Sequence, residues 1–385
     1  MFDFTNIFFI LSPTLFWIFK VCYKKHERSI RIMRHFKKYC SLLLGCLILI
    51  SSTGCGAKSE NTTTATAPTH PLSRTELLLG TTVSISLFDH QDEAILDEAF
   101  EKVKTLENEL SLNKDSTLLT ELNASAGTKP YPVNDTLFDI VQKGYYYSEL
   151  TDGSFDISIG PLVKLWSIGL PEARVPSPEE IQQVLPLINY QAIHLDEQAK
   201  TIYLDTPGMQ LDLGGIAKGY IADTLAAFLK SKGVEHALID LGGNIYALGT
   251  KVDGSLWKVG IQDPFENRNN TIGYIPIANQ SVVTSGIYER YLEADGNKYH
   301  HILDPSTGYP FDNEIAGVTI ISDTSIDGDA LSTSVFSKGL EEGLEFVKSL
   351  PNVEAIFITK DSKVYVTDGI KDDFVLTNGS FTLGN

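Results

Sequence analysis

The chain has 385 residues, of which 43% are hydrophobic and 21% are charged, and its formal net charge is −18. This composition is ordinary for a globular protein, and the length suits one large domain or two small ones. Nucleic-acid binding needs a basic surface, so the strongly negative charge argues against a nucleic-acid partner.

The charge is unevenly placed along the chain. Residues 1–54 hold eight Lys and Arg against two Asp and Glu, a balance of +6, so the remainder carries −24. An acidic body behind a basic start is typical of an exported protein. All four cysteines lie within the first 55 residues. The body after them therefore has no disulfide, no thiolate nucleophile and no cysteine-bound metal.

The N-terminal segment has the layout of a secretory signal. From Met33 the chain runs from basic residues through an apolar stretch, Leu42 to Ile50, into small residues that end at Cys55. A cysteine in that place resembles a bacterial lipobox, in which the thiol is diacylated and becomes the mature N-terminus. We therefore expect residues 1–54 to be a signal or anchor segment, with Met33 as an alternative translation start.

Two alternatives remain open for this segment. Leu43 to Cys46 fits the local lipobox pattern better, but cleavage there would leave four apolar residues at the mature start. An uncleaved N-terminal anchor is the other alternative. The Thr-, Ser- and Ala-rich stretch after Cys55 favours lipidation at Cys55, with residues 55–71 as a flexible tether. A diacyl anchor there predicts a location at the cell membrane, on its extracytoplasmic side.

Strand and helix signals alternate after the tether, which predicts one α+β domain over residues 72–385. Apolar spacing and helix-start residues predict helices over Asp92–Leu110, Thr136–Leu150, Pro176–Leu187, Tyr220–Lys232 and part of Asp329–Leu350. Runs of β-branched and apolar residues predict a hairpin over Ala192–Leu204. Similar runs predict strands over Leu77–Phe88, His236–Leu248, Trp257–Gln262, Thr271–Pro276, Val282–Val283 and Ala316–Ser322.

A glycine-rich segment opens the fourth predicted helix. Residues 211–220 read Leu-Asp-Leu-Gly-Gly-Ile-Ala-Lys-Gly-Tyr. Glycines before a helix let backbone groups approach a phosphate or an ion, and the helix N-terminus favours an anion. Lys218 is placed to meet negative charge. The alternative is a strand-to-helix turn in which glycine serves geometry alone, and the pattern is neither a Walker loop nor a Rossmann fingerprint.

Two further motifs could carry chemistry. The run His300–Gly308 contains histidines, which exchange protons near neutral pH, although a turn with an incidental exposed histidine is the alternative. A related polar cluster, Thr284–Gly286 with Tyr288 and Arg290, lies just upstream. If a helix starts at Asp329, Thr333 lies one turn later on the same face, and the two side chains could share a magnesium ion. The alternative is that Asp329 is an N-cap.

Taken together and in this order, the motifs resemble the ApbE family of flavin transferases. The resemblance runs from Leu77 to Phe346 and includes Leu79–Thr81, Ser116–Asn123, Thr151–Asp156, Gly160–Leu162 with Trp166, Gly242–Asn244 and Thr284–Gly286. It implies a single T-fold-like α+β domain that binds FAD in a cleft. It also implies Mg²⁺-dependent transfer of FMN from FAD to a threonine or serine hydroxyl of an acceptor protein, for example a membrane redox-complex subunit, with release of AMP.

The resemblance also assigns roles to residues. It implies a metal held by Gly215, Asp329 and Thr333, and a flavin-dinucleotide pocket formed by Leu79, Asn113, Gly153, Ser154, Phe155, Asp212, Lys218, His301 and Ser332. His301, Lys218 and Asp329 would carry catalysis, with His301 as base for the acceptor hydroxyl or as a phosphate contact.

The resemblance leaves three points open. Some members carry an aromatic residue near Asn113, so the ring that stacks on the flavin is either missing here or replaced, with Tyr288 and Tyr291 as candidates. The same motifs would serve an FAD pyrophosphatase that gives FMN and AMP, or a non-catalytic flavin-binding lipoprotein. The chain has no obvious acceptor sequence of its own, so self-flavinylation is not expected.

Overall fold

The computed structural model describes residues 70–384 of the chain, which belong to one compact unit. The signal, anchor and lipidation predictions, over residues 1–54 and at Cys55, lie outside these residues, as does nearly all of the tether. Within the described part, no helix combines the length and the hydrophobicity needed to cross a membrane.

Helices and strands occur in separate runs along this unit, as expected for an α+β domain. The α-helices of the described chain are α1 (Glu93–Leu110), α2 (Leu118–Ala124), α3 (Asp135–Leu150), α4 (Gly160–Trp166), α5 (Pro178–Val184), α6 (Ala217–Ser231), α7 (Ser325–Ser337) and α8 (Gly339–Lys348). Short 3-10 helices cover Leu185–Leu187, Tyr190–Ala192 and Asp368–Ile370. Local capping explains two of the helix starts: Asp92 caps α1, and Ser177 with Glu180 forms a capping box on α5.

A nine-stranded sheet forms the framework. Its strands, numbered along the chain and given in spatial order, are β1 (Leu72–Leu78), β2 (Thr81–Leu87), β6 (Ala237–Leu241), β7 (Asn244–Leu248), β10 (Gln280–Gly286), β13 (Ile315–Ser322), β14 (Val353–Thr359), β15 (Lys363–Val366) and β17 (Thr382–Leu383). Neighbouring strands are antiparallel except for β15 and β17.

Three smaller sheets flank this framework. They contain β3 (Tyr131–Pro132), β4 (Ile193–Asp196) and β5 (Thr201–Leu204); β8 (Trp257–Gln262), β9 (Thr271–Ile277) and β16 (Val375–Leu376); and β11 (Tyr291–Ala294) with β12 (Asn297–His300). The β4–β5 pair confirms the hairpin predicted over Ala192–Leu204.

Both faces of the large sheet are covered, and the burial of β13 shows this most clearly. Every residue of β13 is buried. Val318 packs in the core that includes apolar residues of α6 and α7, whereas Ile321 packs with Trp257 and Ile275 from a smaller sheet. Each fully buried side chain of this size contributes roughly 1.5–3 kcal/mol. The two-sided core therefore holds α6 and α7, which carry the candidate site, against one face of the sheet.

The turn between β1 and β2 corrects one prediction. The sequence predicts a single strand over Leu77–Phe88, whereas the structure breaks it at Leu79 and Gly80. Both residues have positive φ, 56° and 67°, which makes a tight two-residue hairpin. A leucine rarely adopts this conformation. Its amide donates to Oε1 of Glu107 at 2.8 Å, a contact from α1 that the local sequence does not reveal.

The helix that carries Asp329 begins earlier than the sequence predicts. Because α7 starts at Ser325, Asp329 lies in its second turn, and the N-cap alternative for Asp329 is wrong. The amides of Ser325 and Ile326 donate to the carboxylate of Asp223 on α6 at 2.7 and 2.9 Å. A carboxylate from another helix therefore accepts the hydrogen bonds of the free backbone amides in the first turn of α7. Thr333 still lies one turn beyond Asp329, as predicted.

The strands β11 and β12 form a separate two-stranded ribbon that the sequence does not predict. Asp295 and Gly296, with φ of 51° and 76°, form its turn. At the base of the ribbon, the amide of His301 donates to the carbonyl oxygen of Arg290 at 3.1 Å. The ribbon therefore brings Arg290 and His301, which are eleven positions apart, into hydrogen-bond contact.

Candidate active site

The glycine-rich segment and α7 meet at one buried carboxylate. Asp329 is 4% exposed. Its Oδ2 accepts the amide of Gly219 at 2.9 Å, and its Oδ1 lies 3.4 Å from Nζ of Lys218. A Cβ on Gly219 would lie 2.3 Å from the carbonyl oxygen of Ser325. Glycine thus allows α6 to approach α7 closely enough for the Asp329 carboxylate to reach the start of α6.

Oxygen atoms gather on the same side of α7. Ser332 donates its only hydroxyl hydrogen to the carbonyl oxygen of Asp329 at 2.8 Å, so Ser285 is the donor in its 2.7 Å hydrogen bond with Ser332. Ser285 Oγ also lies 3.4 Å from Oγ1 of Thr333. A Cβ on Gly215 would lie 3.7 Å from Thr333 Oγ1. The structure therefore brings the predicted Gly215, Asp329 and Thr333 together, and adds Ser285.

The chemistry of this donor set suits a hard cation. Carboxylate, hydroxyl and backbone carbonyl oxygens are the ligands that magnesium prefers. Within residues 70–384, no three His, Cys, Asp or Glu side chains group as metal ligands. An ion at this place would therefore depend on the single carboxylate of Asp329 together with hydroxyl and backbone oxygens.

The turn Gly153-Ser154-Phe155 lies against the glycine-rich segment. Gly153 has a φ of 78°, and just after the end of α3 its amide donates to the carbonyl oxygen of Ser148 at 2.8 Å. The buried ring of Phe155 has its Cε2 3.0 Å from the Cβ position of Gly215. The amide of Asp212 donates to the carbonyl oxygen of Ile157 at 2.8 Å. The turn and the glycine-rich segment thus form one continuous wall of the site.

His301 is half-buried at the base of the ribbon. Its Nδ1 lies 3.2 Å from the carbonyl oxygen of Arg290. A carbonyl oxygen only accepts, so Nδ1 carries the hydrogen and Nε2 keeps its lone pair. Burial, followed by the positive charge of Arg290, lowers the pKa of His301 to about 3. The ring is therefore neutral near pH 7.

The adjacent His300 has a different role. Its Nε2 donates to the carbonyl oxygen of Phe311 at 2.9 Å, and its Nδ1 accepts the amide of Ile302 at 3.3 Å. Both ring nitrogens are used inside the fold, and the side chain is buried. Of the two neighbouring histidines, only His301 keeps a nitrogen available for chemistry.

Two cations act on the same region. The charges of Arg290 and Lys218 both lower the pKa of His301, and both also favour the ionised form of Asp212. Burial is the larger effect on Asp212 and raises the pKa of its carboxyl group above the usual range. The amide of Gly214 donates to Asp212 Oδ1 at 2.7 Å. Asp212, Lys218, Arg290 and His301 therefore form one electrostatic cluster.

The predicted pocket residues Leu79 and Asn113 lie at the edge of this region. The guanidinium of Arg290 is 3.5 Å from the carbonyl oxygen of Gly80, which places the Leu79 turn beside the cluster. Glu107 accepts the Leu79 amide and also pairs with Lys114 at 2.8 Å. Asn113 lies in the loop that Lys114 ties to α1 in this way.

Of the two tyrosines considered as flavin-stacking rings, Tyr288 is partly buried and Tyr291 is exposed. The ring of Tyr288 lies against Gly286, where a Cβ would be 2.4 Å away, and its hydroxyl is buried without a partner among the described residues. The ring of Tyr291 lies 3.5 Å from Nζ of Lys298. The identity of the ring that stacks on the flavin stays a prediction.

Three site residues are missing from the sequence-based assignment of roles: Ser285, Arg290 and Asp223. The polar cluster from Thr284 to Arg290 is a signal for the first two, but only the pairing of β10 with β13 and the ribbon turn bring them to the site. Asp223 lies at the end of the glycine-rich motif, but the sequence does not reveal its role, because its partners are the amides of a helix about a hundred positions away.

The sequence compares closely with known proteins. The sequence model of the ApbE family matches residues 79–357. Over 291 residues, 76% of this chain and 90% of the other, the chain is 41% identical to a protein of Klebsiella pneumoniae (strain 342) named FAD:protein FMN transferase. Over 328 residues, 81% of this chain and 91% of the other, it is 37% identical to a Treponema pallidum (strain Nichols) protein of the same name.

The fold is similar to solved structures as well. The ApbE protein of Thermotoga maritima superposes with a TM-score of 0.73 and 30% identity, over 79% of this chain and 99% of that one. The flavin transferase ApbE from Vibrio cholerae superposes with a TM-score of 0.71 and 26% identity, over 80% and 100%. With the family match extending from the Leu79 turn to β14, the chain belongs to the ApbE family.

Proposed function

We propose that the protein is an enzyme that transfers FMN from FAD to a threonine or serine hydroxyl of an acceptor protein and releases AMP. The relatives from Klebsiella and Treponema are named FAD:protein FMN transferases, and the Vibrio structure is a flavin transferase. The observation that carries the proposal is His301, which presents an unprotonated Nε2 beside the cations Lys218 and Arg290. An acceptor hydroxyl needs a base, and a pyrophosphate needs positive charge.

The reaction exchanges one bond for another at the FMN phosphorus of FAD. The acceptor oxygen forms a new bond to phosphorus, the bond from phosphorus to the bridging oxygen breaks, and AMP leaves with the electron pair. Nε2 of His301 takes the hydroxyl proton while its Nδ1 hydrogen stays on the carbonyl oxygen of Arg290. The positive charge of Lys218 stabilises the negative charge that builds up on the leaving phosphate.

The ion in this proposal is magnesium, which the carbonyl oxygen of Gly215, the carboxylate of Asp329 and the hydroxyl of Thr333 would hold. The bound ion would neutralise the charge of the pyrophosphate and make its phosphorus more electrophilic.

Asp329→Ala should abolish turnover. The same variant leaves the buried Gly219 amide without its acceptor, so a thermal unfolding curve must accompany it to separate lost chemistry from lost structure.

The flavin dinucleotide would lie along the wall next to the glycine-rich segment. Support comes from the contact of Phe155 with Gly215 and from the position of Asp212 beside both cations. The proposed pocket residues are Leu79, Asn113, Gly153, Ser154, Phe155, Asp212, Lys218, His301 and Ser332.

Covalent labelling tests the function. The full-length protein is incubated with FAD, Mg²⁺ and an acceptor that the Klebsiella relative labels in a parallel reaction. We expect the acceptor to gain the mass of FMN while AMP appears in equal amount. AMP release at the same rate without acceptor would instead make the protein an FAD pyrophosphatase. Tight FAD binding with no AMP release would make it a flavin-binding protein.

The location of the enzyme is a separate proposal that rests on the sequence alone. A lipid on Cys55 would hold it on the extracytoplasmic side of the cell membrane, with residues 55–71 as the tether to the domain. Labelled palmitate should enter the wild-type protein and Cys46→Ser, but not Cys55→Ser, which should leave the membrane fraction. Loss of the label in Cys46→Ser instead would move the lipidation site to Cys46.

A further inference from the structure

The guanidinium of Arg290 forms no salt bridge with a carboxylate within the described residues. The other arginines of residues 70–384, which are Arg74, Arg174 and Arg268, each pair with a carboxylate at 2.7 to 2.9 Å. The guanidinium of Arg290 instead reaches a neutral acceptor, the carbonyl oxygen of Gly80, at 3.5 Å. This distance is beyond the usual range for an N–H to oxygen hydrogen bond.

The backbone and the side chain of Arg290 both take part in the site. Its carbonyl oxygen holds the amide and Nδ1 of His301 at 3.1 and 3.2 Å. Its Cδ would lie 3.2 Å from a Cβ on Gly169, so a glycine in the loop after α4 leaves room for the side chain. The charge of Arg290 favours the ionised form of Asp212 and disfavours the protonated form of His301.

Lys218 is the other cation of the site, and its charge is already partly compensated. Its Nζ lies 3.4 Å from Oδ1 of Asp329 and 3.4 Å from the carbonyl oxygen of Gly214. Arg290 is therefore the cation with the larger unsatisfied capacity for an anion. The side chain of Arg290 is exposed. In a protein with a net charge of −18, such an accessible positive centre attracts an anionic ligand.

We propose that the guanidinium of Arg290 binds the FMN phosphoryl group of FAD, which is the group that is transferred. This inference rests on the proposed function and assigns a further residue to the same reaction. The FMN phosphorus must lie within reach of the hydroxyl that His301 deprotonates. The guanidinium of Arg290 belongs to the residue whose backbone carbonyl oxygen holds His301, and its charge acts on the His301 ring.

The chemistry of a guanidinium suits this role better than that of an ammonium. Its planar fork can donate to two phosphoryl oxygens at once. The carbonyl oxygen of the same residue orients His301. One residue would thus align the base and the phosphorus with each other, and such alignment lowers the entropic part of the barrier.

Equilibrium binding of three flavins tests the inference without any turnover. The full-length wild type and Arg290→Gln are titrated with riboflavin, FMN and FAD in the absence of acceptor. In Arg290→Gln the Kd for FMN and for FAD should rise by about 10- to 100-fold, the effect of one lost charge-assisted hydrogen bond. The Kd for riboflavin, which has no phosphate, should stay the same.

Three results would overturn the assignment. A loss for FAD alone would place Arg290 on the AMP phosphate. An equal loss for riboflavin would make Arg290 a structural support of the flavin pocket. Unchanged binding of FMN and FAD would remove it from the phosphate site altogether.

Two further variants complete the test. Arg268→Gln removes the same charge from an exposed ion pair with Glu289, next to Arg290 in the chain, and should leave all three dissociation constants unchanged. Arg290→Lys keeps the charge without the planar fork and should recover part of the FMN affinity. Phosphate-dependent binding through Arg290 without any transfer would contradict the proposed function alone. Transfer with FMN binding that is independent of Arg290 would contradict this inference alone.

Discussion

The carbonyl oxygen of Arg290 accepts two hydrogen bonds from His301, one from the backbone amide at 3.1 Å and one from Nδ1 at 3.2 Å. The first closes the base of the ribbon, and the second sets the tautomer of the imidazole. A single oxygen thus links the register of β11 and β12 to the nitrogen that is available for proton transfer. Changes in the ribbon that move the carbonyl oxygen of Arg290 are therefore expected to change the position of Nε2 of His301.

Replacing His301 by glutamine should reduce the rate of FMN transfer by about 100- to 10,000-fold, because an amide cannot take the acceptor proton. FAD affinity should change much less. The rate of covalent flavin attachment at saturating FAD, together with the Kd for FAD, measures both effects. His194→Gln is the matched control, because His194 lies exposed on β4 and pairs with Asp205 at 2.7 Å. Transfer at the wild-type rate in His301→Gln would mean that another group is the base.

The hydroxyl of Thr333 can be tested with two substitutions of different chemistry. Thr333→Val keeps the shape but removes the oxygen, so the Mg²⁺ concentration for half-maximal transfer should rise at least about tenfold. Thr333→Ser keeps the oxygen and should stay close to wild type. The Mg²⁺-dependent rise in the melting temperature provides a second reading that does not depend on turnover. Equal Mg²⁺ dependence in the two variants would exclude Thr333 as a ligand.

A side chain at Gly219 should destabilise the fold as well as the site. The added Cβ of Gly219→Ala would lie 2.3 Å from the carbonyl oxygen of Ser325 and 2.6 Å from Cα of Ile326, both backbone atoms of α7. Forcing the helices apart should cost about 1–3 kcal/mol or more of the free energy of unfolding, measured in urea. Gly379→Ala is the control, because its Cβ would meet nothing within 4 Å. Equal unfolding midpoints for the two variants would contradict the close contact.

The free energy of unfolding should depend on pH through Asp223. Burial, as the largest effect, raises the pKa of its carboxyl group to about 6, although the amides of Ser325 and Ile326 oppose the shift. The unfolded value is about 3.9. Between these values the folded state binds more protons, so the stabilising contribution of Asp223 is full below about pH 3.9 and is lost as the pH rises through about 6.

The comparison with Asp223→Asn isolates this contribution, because all other titrating groups are shared. Urea unfolding of both proteins from pH 4 to pH 8 should show the wild type gaining stability relative to the variant as the pH falls from about 7 to 4. A difference that grows in the opposite direction, or that does not change with pH, would show that the carboxyl group titrates near its ordinary value.

Local signals explain the elements that the sequence predicts correctly. The apolar spacing in Asp92–Leu110 and the capping residues Ser177 and Glu180 lie within the helices they define, and the structure confirms α1 and α5. Where a distant side chain decides the conformation, the prediction is wrong. Glu107 holds Leu79 in a turn, and Asp223 starts α7 at Ser325, ahead of Asp329.

The sequence by itself determined the family, because the order of the motifs along the chain needs no geometry, and it predicted most residues of the candidate site. Only the tertiary structure decided which residues meet. Lys218 and Asp329 are 111 positions apart and come together because Gly219 lets α6 pack on α7. Arg290 and His301 meet through the register of the ribbon. Periodicity and turn propensity report on neighbours along the chain, whereas these contacts depend on side-chain packing between distant segments.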